Sequence, residues 1–367
     1  MMNQMIVANL TRRPVRSLIS IVAVTLEVTL ILLIVGLALG LLRDSRQRQA
    51  GIGADVVVMP PGSQFIVGLT GAPMPIKVGD ILATLPHVVA VSPVVTTVST
   101  AGTLKLIAGI DLNSYQKLSG PFRFVAGRPF DAPNECMVDD ISARAKHIKV
   151  GDTVEILTHP FRVSGIVEPG KGARKFVEIG ALQDLIGAQN KATIFYLKTD
   201  EPSNADLVVE EIKQVPGMGH YVATSMAFYL SMMTTNRYPG VSEFIDFVIG
   251  ISVIIGFLVI FQSMYTAVME RTREIGILKA MGASKLYIVN VILRETLLLT
   301  VVGILTGIVF SLAARAAIDG RTTLPVVVTG GWILRTAAIA IVGAILGALY
   351  PAYKAAQKDP VDALAYE

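Results

Sequence analysis

Leu18 to Leu42 is a run of 25 residues that carries one charge, Glu27, and seventeen of the 25 are Leu, Ile or Val. About 20 apolar residues in a helix cross the hydrocarbon core of a bilayer. Each Leu, Ile or Val near the centre favours insertion by about 0.3–0.6 kcal/mol, and a central acidic group opposes it by about 3 kcal/mol. The apolar contribution outweighs the charge, so the segment enters lipid in spite of Glu27. A cleaved signal peptide competes with this reading, because Arg12, Arg13 and Arg16 precede the run. Its apolar region spans only about 7–15 residues, and no clear Ala-x-Ala pattern follows Leu42, so a retained transmembrane helix is expected.

Three further apolar stretches lie near the end of the chain, which places spans at about residues 18–42, 245–269, 287–314 and 332–353. Trp332, Tyr350 and Tyr353 sit where interfacial aromatic anchors are expected. Only 16% of the residues are charged, against about 25% in a soluble domain. Four spans put both termini on one side. That side would carry Arg12, Arg13, Arg16, Arg271, Arg273, Lys279, Lys285, Lys354 and Lys358, and the other Arg43, Arg46, Arg48, Arg315 and Arg321. Nine against five favours cytoplasmic termini.

The segment between the first and second spans is too patterned for a linker. Period-2 and β-branched runs recur in ADVVVM, VVAVSPVVTTVS, TLKLIAGI, DTVEIL, FRVSGIV, KFVEI and TIFYLK. Helical patterns interrupt them at VGDILATLP, IGALQDLIG and NADLVVEEIKQVPG, the last with Asn204 as its expected cap. The expected fold is an integral membrane protein with four transmembrane α-helices and a large extracytoplasmic α+β domain of one or two lobes between helices 1 and 2. Its parts are residues 1–50, 51–242 and 243–367.

Catalytic chemistry is hard to find. GIVEPGKG, Gly165 to Gly172, nearly spells a P-loop but has Gly172 where a hydroxyl would hold magnesium, and ARKFVEI after it does not open a helix. A glycine-rich turn between strands is expected. Cys136 is the one cysteine, and His87, His147, His159 and His220 lie far apart, so no metal motif is expected. Asp139-Asp140 and Glu210-Glu211 read as acidic pairs on a solvated face. No cluster of Lys and Arg interleaved with aromatics points to nucleic acid. The chain reads as a non-enzyme without its own cofactor. Two features in the spans stand out. An ionisable residue at mid-span, Glu27, should face a protein interior or cavity. Gly36/Gly40, Gly303/Gly307 and Gly343/Gly347 repeat the Gly-x-x-x-Gly spacing that lets helix backbones approach, within one chain or across a dimer.

The densest charge follows the second span directly. ERTREIGILKAMGAS, Glu270 to Ser284, packs five charges into its first ten residues. Ile275, Leu278 and Met281 fall at helical spacing with Ile277 adjoining, Glu270, Glu274 and Lys279 lie around the polar side, and Gly282 suits a helix stop. A short amphipathic helix of this kind docks on a membrane or a partner, or it merely caps the span. The residues alone leave both open.

This segment, followed by ILRETLLL, resembles the signature of the FtsX/MacB-type ABC permease family. YPAYKAAQKDPVDALAYE resembles that family's ending and NLTRRPVRSLIS its N-terminal entry. GADVVVMPP, VAGRPF and VGDTVEILTHPFRVSGIV resemble its extracytoplasmic domain. The order of one span, a large domain and three spans matches as well. The resemblance implies a permease subunit of the bacterial cytoplasmic (inner) membrane, with ATP and magnesium bound by a separate cytoplasmic ATPase, because the chain shows no ATPase domain. Glu270, Arg271, Arg273, Glu274, Ile277, Leu278, Lys279, Met281 and Gly282 would then couple to that ATPase. The implied partners are a second permease copy or paralogue, a periplasmic adaptor in some systems, and membrane lipid. The implied function is export or extraction of an amphiphilic cargo (lipid, lipoprotein, peptide or drug). The alternative is a mechanotransmitter that activates an envelope enzyme without transport. Glu27 belongs to none of these motifs.

Overall fold

Four helices in the computed structural model are long and apolar enough to cross a membrane: Pro14–Ala50, Val241–Glu270, Lys285–Ile318 and Gly330–Gln357. The structure describes residues 14–63, 72–99, 105–234, 237, 240–319 and 321–358. The entry residues through Arg13 and the DPVDALAYE tail lie outside them. The chain divides into two compact units, one of residues 1–39, 240–318 and 326–367, the other of residues 40–239 and 319–325.

In the membrane unit, small residues set the helix spacing. Val24 and Val28 of the first helix sit over Gly303 and Gly307 of the third. A Cβ on Gly303 would fall 2.6 Å from Val24 Cβ, and one on Gly307 would fall 2.8 Å from Val28 Cβ. The close approach brings the Thr25 and Thr29 hydroxyls to the Gly303 and Gly307 carbonyls, to which they donate at 3.3 and 3.2 Å. Gly347 faces the Phe257 carbonyl of the second helix, Gly36 faces Val326 and Val327, and among the described residues no heavy atom lies within 4 Å of the Cβ position of Gly343. The other unit holds Gly40, against Pro325. Tyr350 and Tyr353 are exposed, whereas Trp332 packs beside Ile31, Val35 and Ile245.

The second unit is built on one sheet of ten strands. Its strands are β1 (Val56–Met59), β3 (Val88–Ser99), β4 (Lys105–Ile110), β5 (Phe124–Gly127), β6 (Glu135–Asp139), β7 (Thr153–Ile156), β8 (His159–Val167), β9 (Lys175–Glu178), β11 (Ile194–Thr199) and β12 (Val222–Ser225). Their order is β12-β1-β11-β3-β4-β9-β6-β8-β5, with β7 also on β8, and β2 (Met74–Pro75) pairs with β10 (Lys191–Ala192) separately. The β4–β9 and β6–β8 pairs are parallel and the rest antiparallel, which makes the sheet mixed. Helices Leu112–Ser119, Ile179–Ile186 and Ala205–Gln214 bury apolar faces of Tyr115 and Leu118, of Leu182, and of Val208, Val209 and Ile212. Tyr115, Phe122 and Phe176 form an aromatic cluster in the core.

The near-P-loop is a turn between β8 and β9. Lys171 donates from Nζ to the carbonyls of Ser119, Gly120 and Pro121 at 2.6, 2.8 and 3.0 Å and lies 5.1 Å from the Phe122 ring centroid. Its charge thus satisfies the end of helix Leu112–Ser119, where the dipole is negative. Two details differ from the sequence expectation. Asn204 does not cap the helix that follows; its side-chain amide donates to Asp200 instead. Asp139 is not solvated: it is 1% exposed, caps helix Asp140–Lys146 through Ser142 N and accepts from Arg174.

Candidate functional site

The charged segment after the second span forms a separate short helix, Thr272–Ala280. The preceding helix stops at Glu270, and Arg271 has left helical geometry at φ −108°. Gly282, at φ +92°, takes a left-handed conformation that a side chain would strain, and so reverses the chain before the helix starting at Lys285. Ser284 Oγ accepts from Tyr287 N at 3.2 Å in that helix's first turn.

One face of the short helix is tied to the membrane unit. Thr272 is 3% exposed and its hydroxyl donates to the Val268 and Met269 carbonyls. Ile275 packs on Val268, Ile288, Ala355 and Ala356, and Gly276 is buried. Arg271 Nη1 donates to Glu295 Oε2 at 2.9 Å, with side chains 11% and 4% exposed. Lys279 Nζ donates to the Ala356 carbonyl at 3.0 Å and to the Lys358 carbonyl, at the end of the fourth long helix. Lys358 Nζ in turn donates to Thr272 Oγ1 at 3.4 Å. Two of the five charges therefore serve as internal tethers rather than as a solvated polar side.

The opposite face is open. Glu270, Arg273, Glu274, Ala280 and Gly282 are exposed, together with Ile277 at 44% and Met281 at 71%. Leu278 is half-buried and lines, with Glu274, Ile277, Arg271, Tyr287 and Glu295, a cavity of about 340 Å3. Apolar side chains among opposite charges on a fixed helix make a surface suited to a protein groove. Glu295 was absent from the sequence-derived set, yet the signal existed: it lies in an apolar stretch, as Glu27 does, and carboxylates there mark partners.

Glu27 is 7% exposed, and its Oε1 has no hydrogen-bond partner among the described residues. Its carboxylate occupies the space that a side chain at Gly256 of the second helix would need. Nearby on the same pair of helices, Ser20 and Ser263 share a hydrogen bond at 2.6 Å. Elsewhere, burial pushes the Cys136 thiol up to about 12, far from a reactive thiolate. Hydrogen bonds from Asn204 and His87 hold the exposed Asp200 carboxyl down at about 2. Among the described residues no three His, Cys, Asp or Glu side chains gather as metal ligands.

Residues 247–360 match the FtsX-like permease C-terminal family, and residues 17–215, more than half of the chain, match the MacB-like periplasmic core domain. The uncharacterised ABC transporter permease YknZ of Bacillus subtilis is 27% identical over 66% of this chain and 63% of its own length. The macrolide export ATP-binding/permease protein MacB of Rhodopirellula baltica is 31% identical over 47% of this chain. The chain spans only 26% of that MacB. The periplasmic region of MacB from Actinobacillus actinomycetemcomitans, a solved structure, aligns with 50% of this chain and 94% of its own length at 16% identity and TM-score 0.39.

Proposed function

We propose, from the premise that this chain belongs to the FtsX/MacB-type family of ABC transporter permeases, that it couples a separate cytoplasmic ATPase to its extracytoplasmic domain to export or extract an amphiphilic cargo. One observation carries this reading: helix Thr272–Ala280 is tethered on one face and open on the other. ATP and magnesium would bind the ATPase, which would grip Arg273, Glu274, Ile277 and Met281. The tethers through Arg271 and Lys279 would pass its movement into the third and fourth helices as well as the second. A relay of this kind needs two packings of the spans that ATP binding biases. In this reading the termini are cytoplasmic, the membrane is the bacterial inner membrane, and a second permease copy or paralogue completes the assembly.

The experiment measures ATP hydrolysis by the complex purified from its own host. Arg273→Glu combined with Met281→Ala should lower ATPase association by about tenfold, roughly 1.4 kcal/mol, with the thermal melt of the permease unchanged. Unaltered association and hydrolysis in that variant would remove the docking assignment.

A further inference from the structure

A cavity of about 470 Å3 in the sheet-containing unit is lined by charges of both signs, Asp44, Arg144, Arg174 and Asp319, with Thr323 and Leu324 beside them. Pockets for small molecules run from about 300 to 1,000 Å3. Part of its wall is rigid. Arg174, 12% exposed, donates from Nη1 to Asp139 at 2.8 Å and from Nη2 to Asp44 at 2.9 Å and to the Thr323 carbonyl at 3.3 Å. Arg48 forms an ion pair with the same Asp44 carboxylate oxygen, Oδ2. These deeper charges, two arginines and two aspartates, balance one another. More accessible are Arg144, whose side chain is 67% exposed and pairs with Asp140 at 2.6 Å, and Asp319, which is exposed.

Position in the chain gives the depth of the cavity. Asp44 follows the apolar run 18–42 by two residues, and Asp319 directly follows Ile318, the end of the third long helix. Both stand where a membrane-spanning helix leaves the hydrocarbon, at the depth of phospholipid headgroups. A purely anionic headgroup would meet the exposed carboxylate of Asp319, whereas Asp44 is already balanced by Arg174 and Arg48. A quaternary ammonium could not donate hydrogen bonds to a carboxylate, whereas a primary ammonium donates three. Guanidinium matches phosphate in shape as well as charge.

We propose that this cavity binds the phosphoethanolamine headgroup of a phospholipid, with the phosphate at Arg144, the ammonium at Asp319 and Leu324 against the glycerol end. The inference rests on the membrane reading of the spans and not on the ATPase docking. The test titrates the full chain in detergent micelles with short-chain phosphatidylethanolamine, phosphatidylcholine and phosphatidylglycerol, and with soluble phosphoethanolamine, counting bound molecules by native mass spectrometry. One phosphatidylethanolamine should bind saturably and in preference to the other two lipids. Arg144→Gln and Asp319→Asn should each weaken it by about tenfold, the loss of one charge-assisted hydrogen bond, with the ligand-free melt unchanged. Displacement by soluble phosphoethanolamine at similar concentration would support the same headgroup chemistry with a water-borne source, and its failure to displace would assign the lipid. Equal binding of all three lipids, or binding unaffected in both variants, would overturn the proposal.

Discussion

Replacing Arg271 with alanine is expected to cost about 3–5 kcal/mol of stability, because it removes the counter-charge from a buried carboxylate. Glu295 is 4% exposed and sits 2.9 Å from the guanidinium, so its carboxylate would be left in a largely buried site without its counter-charge. Arg273→Ala, two residues away on the open face, should shift stability by less than about 0.5 kcal/mol. The double variant Arg271→Ala, Glu295→Leu should recover most of the loss, since apolar replacement of a buried ion pair is often neutral. Unfolding of the three variants in mixed micelles reads the difference, and equal melts for Arg271→Ala and Arg273→Ala would refute the tether. Charge reversal at Arg271 would thus report on folding, and Arg273 is the residue at which docking is tested cleanly.

Valine at Gly303 and Gly307 together should also be severe. Each Cβ would stand under 3 Å from a valine Cβ of the first helix, so the helices must separate or the side chains leave their rotamers. Overpacking costs about 1–3 kcal/mol per site. Separation would further lengthen the Thr25 and Thr29 hydrogen bonds to the glycine carbonyls. The reciprocal pair Val24→Gly, Gly303→Ala removes the two closest atoms, leaving the Ile21 carbonyl at 3.1 Å. It should regain only part of the loss of Gly303→Ala alone, because the buried Val24 side chain is lost and a helical glycine costs roughly 1 kcal/mol. Thermal unfolding in detergent measures both. A double valine variant that melts like the parent would place the contact elsewhere.

The four spans were legible because burial in lipid imposes a pattern of length and composition that needs no tertiary information. Each expected span lies inside an observed helix, and the longest β-branched runs became strands. Strand β6, ECMVD, escaped because all five of its residues are buried in the sheet interior and it shows no alternation. A parallel partner on one side and an antiparallel one on the other cover it, and neither is adjacent in sequence. Helix Asp140–Lys146 was likewise hidden, since its cap Asp139 looks like half of a surface acidic pair until Arg174, 35 residues away, is placed beside it. At the charged turn, spacing gave the helix and the Gly282 stop. It could not tell which charges point inward, because their partners lie 24 residues on at Glu295 and 77 residues on at Ala356. The glycine repeats marked close approach, and only the fold assigned Gly303 and Gly307 to a valine pair within the same chain.

Site-specific photocrosslinking tests the coupling assignment most directly. A benzophenone side chain at Met281 or Ile277 of the full chain in its own host should give an ultraviolet-dependent adduct that mass spectrometry identifies as an ATPase bearing a Walker A motif. The same probe at the exposed, apolar Leu334 of the last helix should give none. An adduct with that ATPase at Leu334 but none at Met281 or Ile277 would rule out docking on helix Thr272–Ala280.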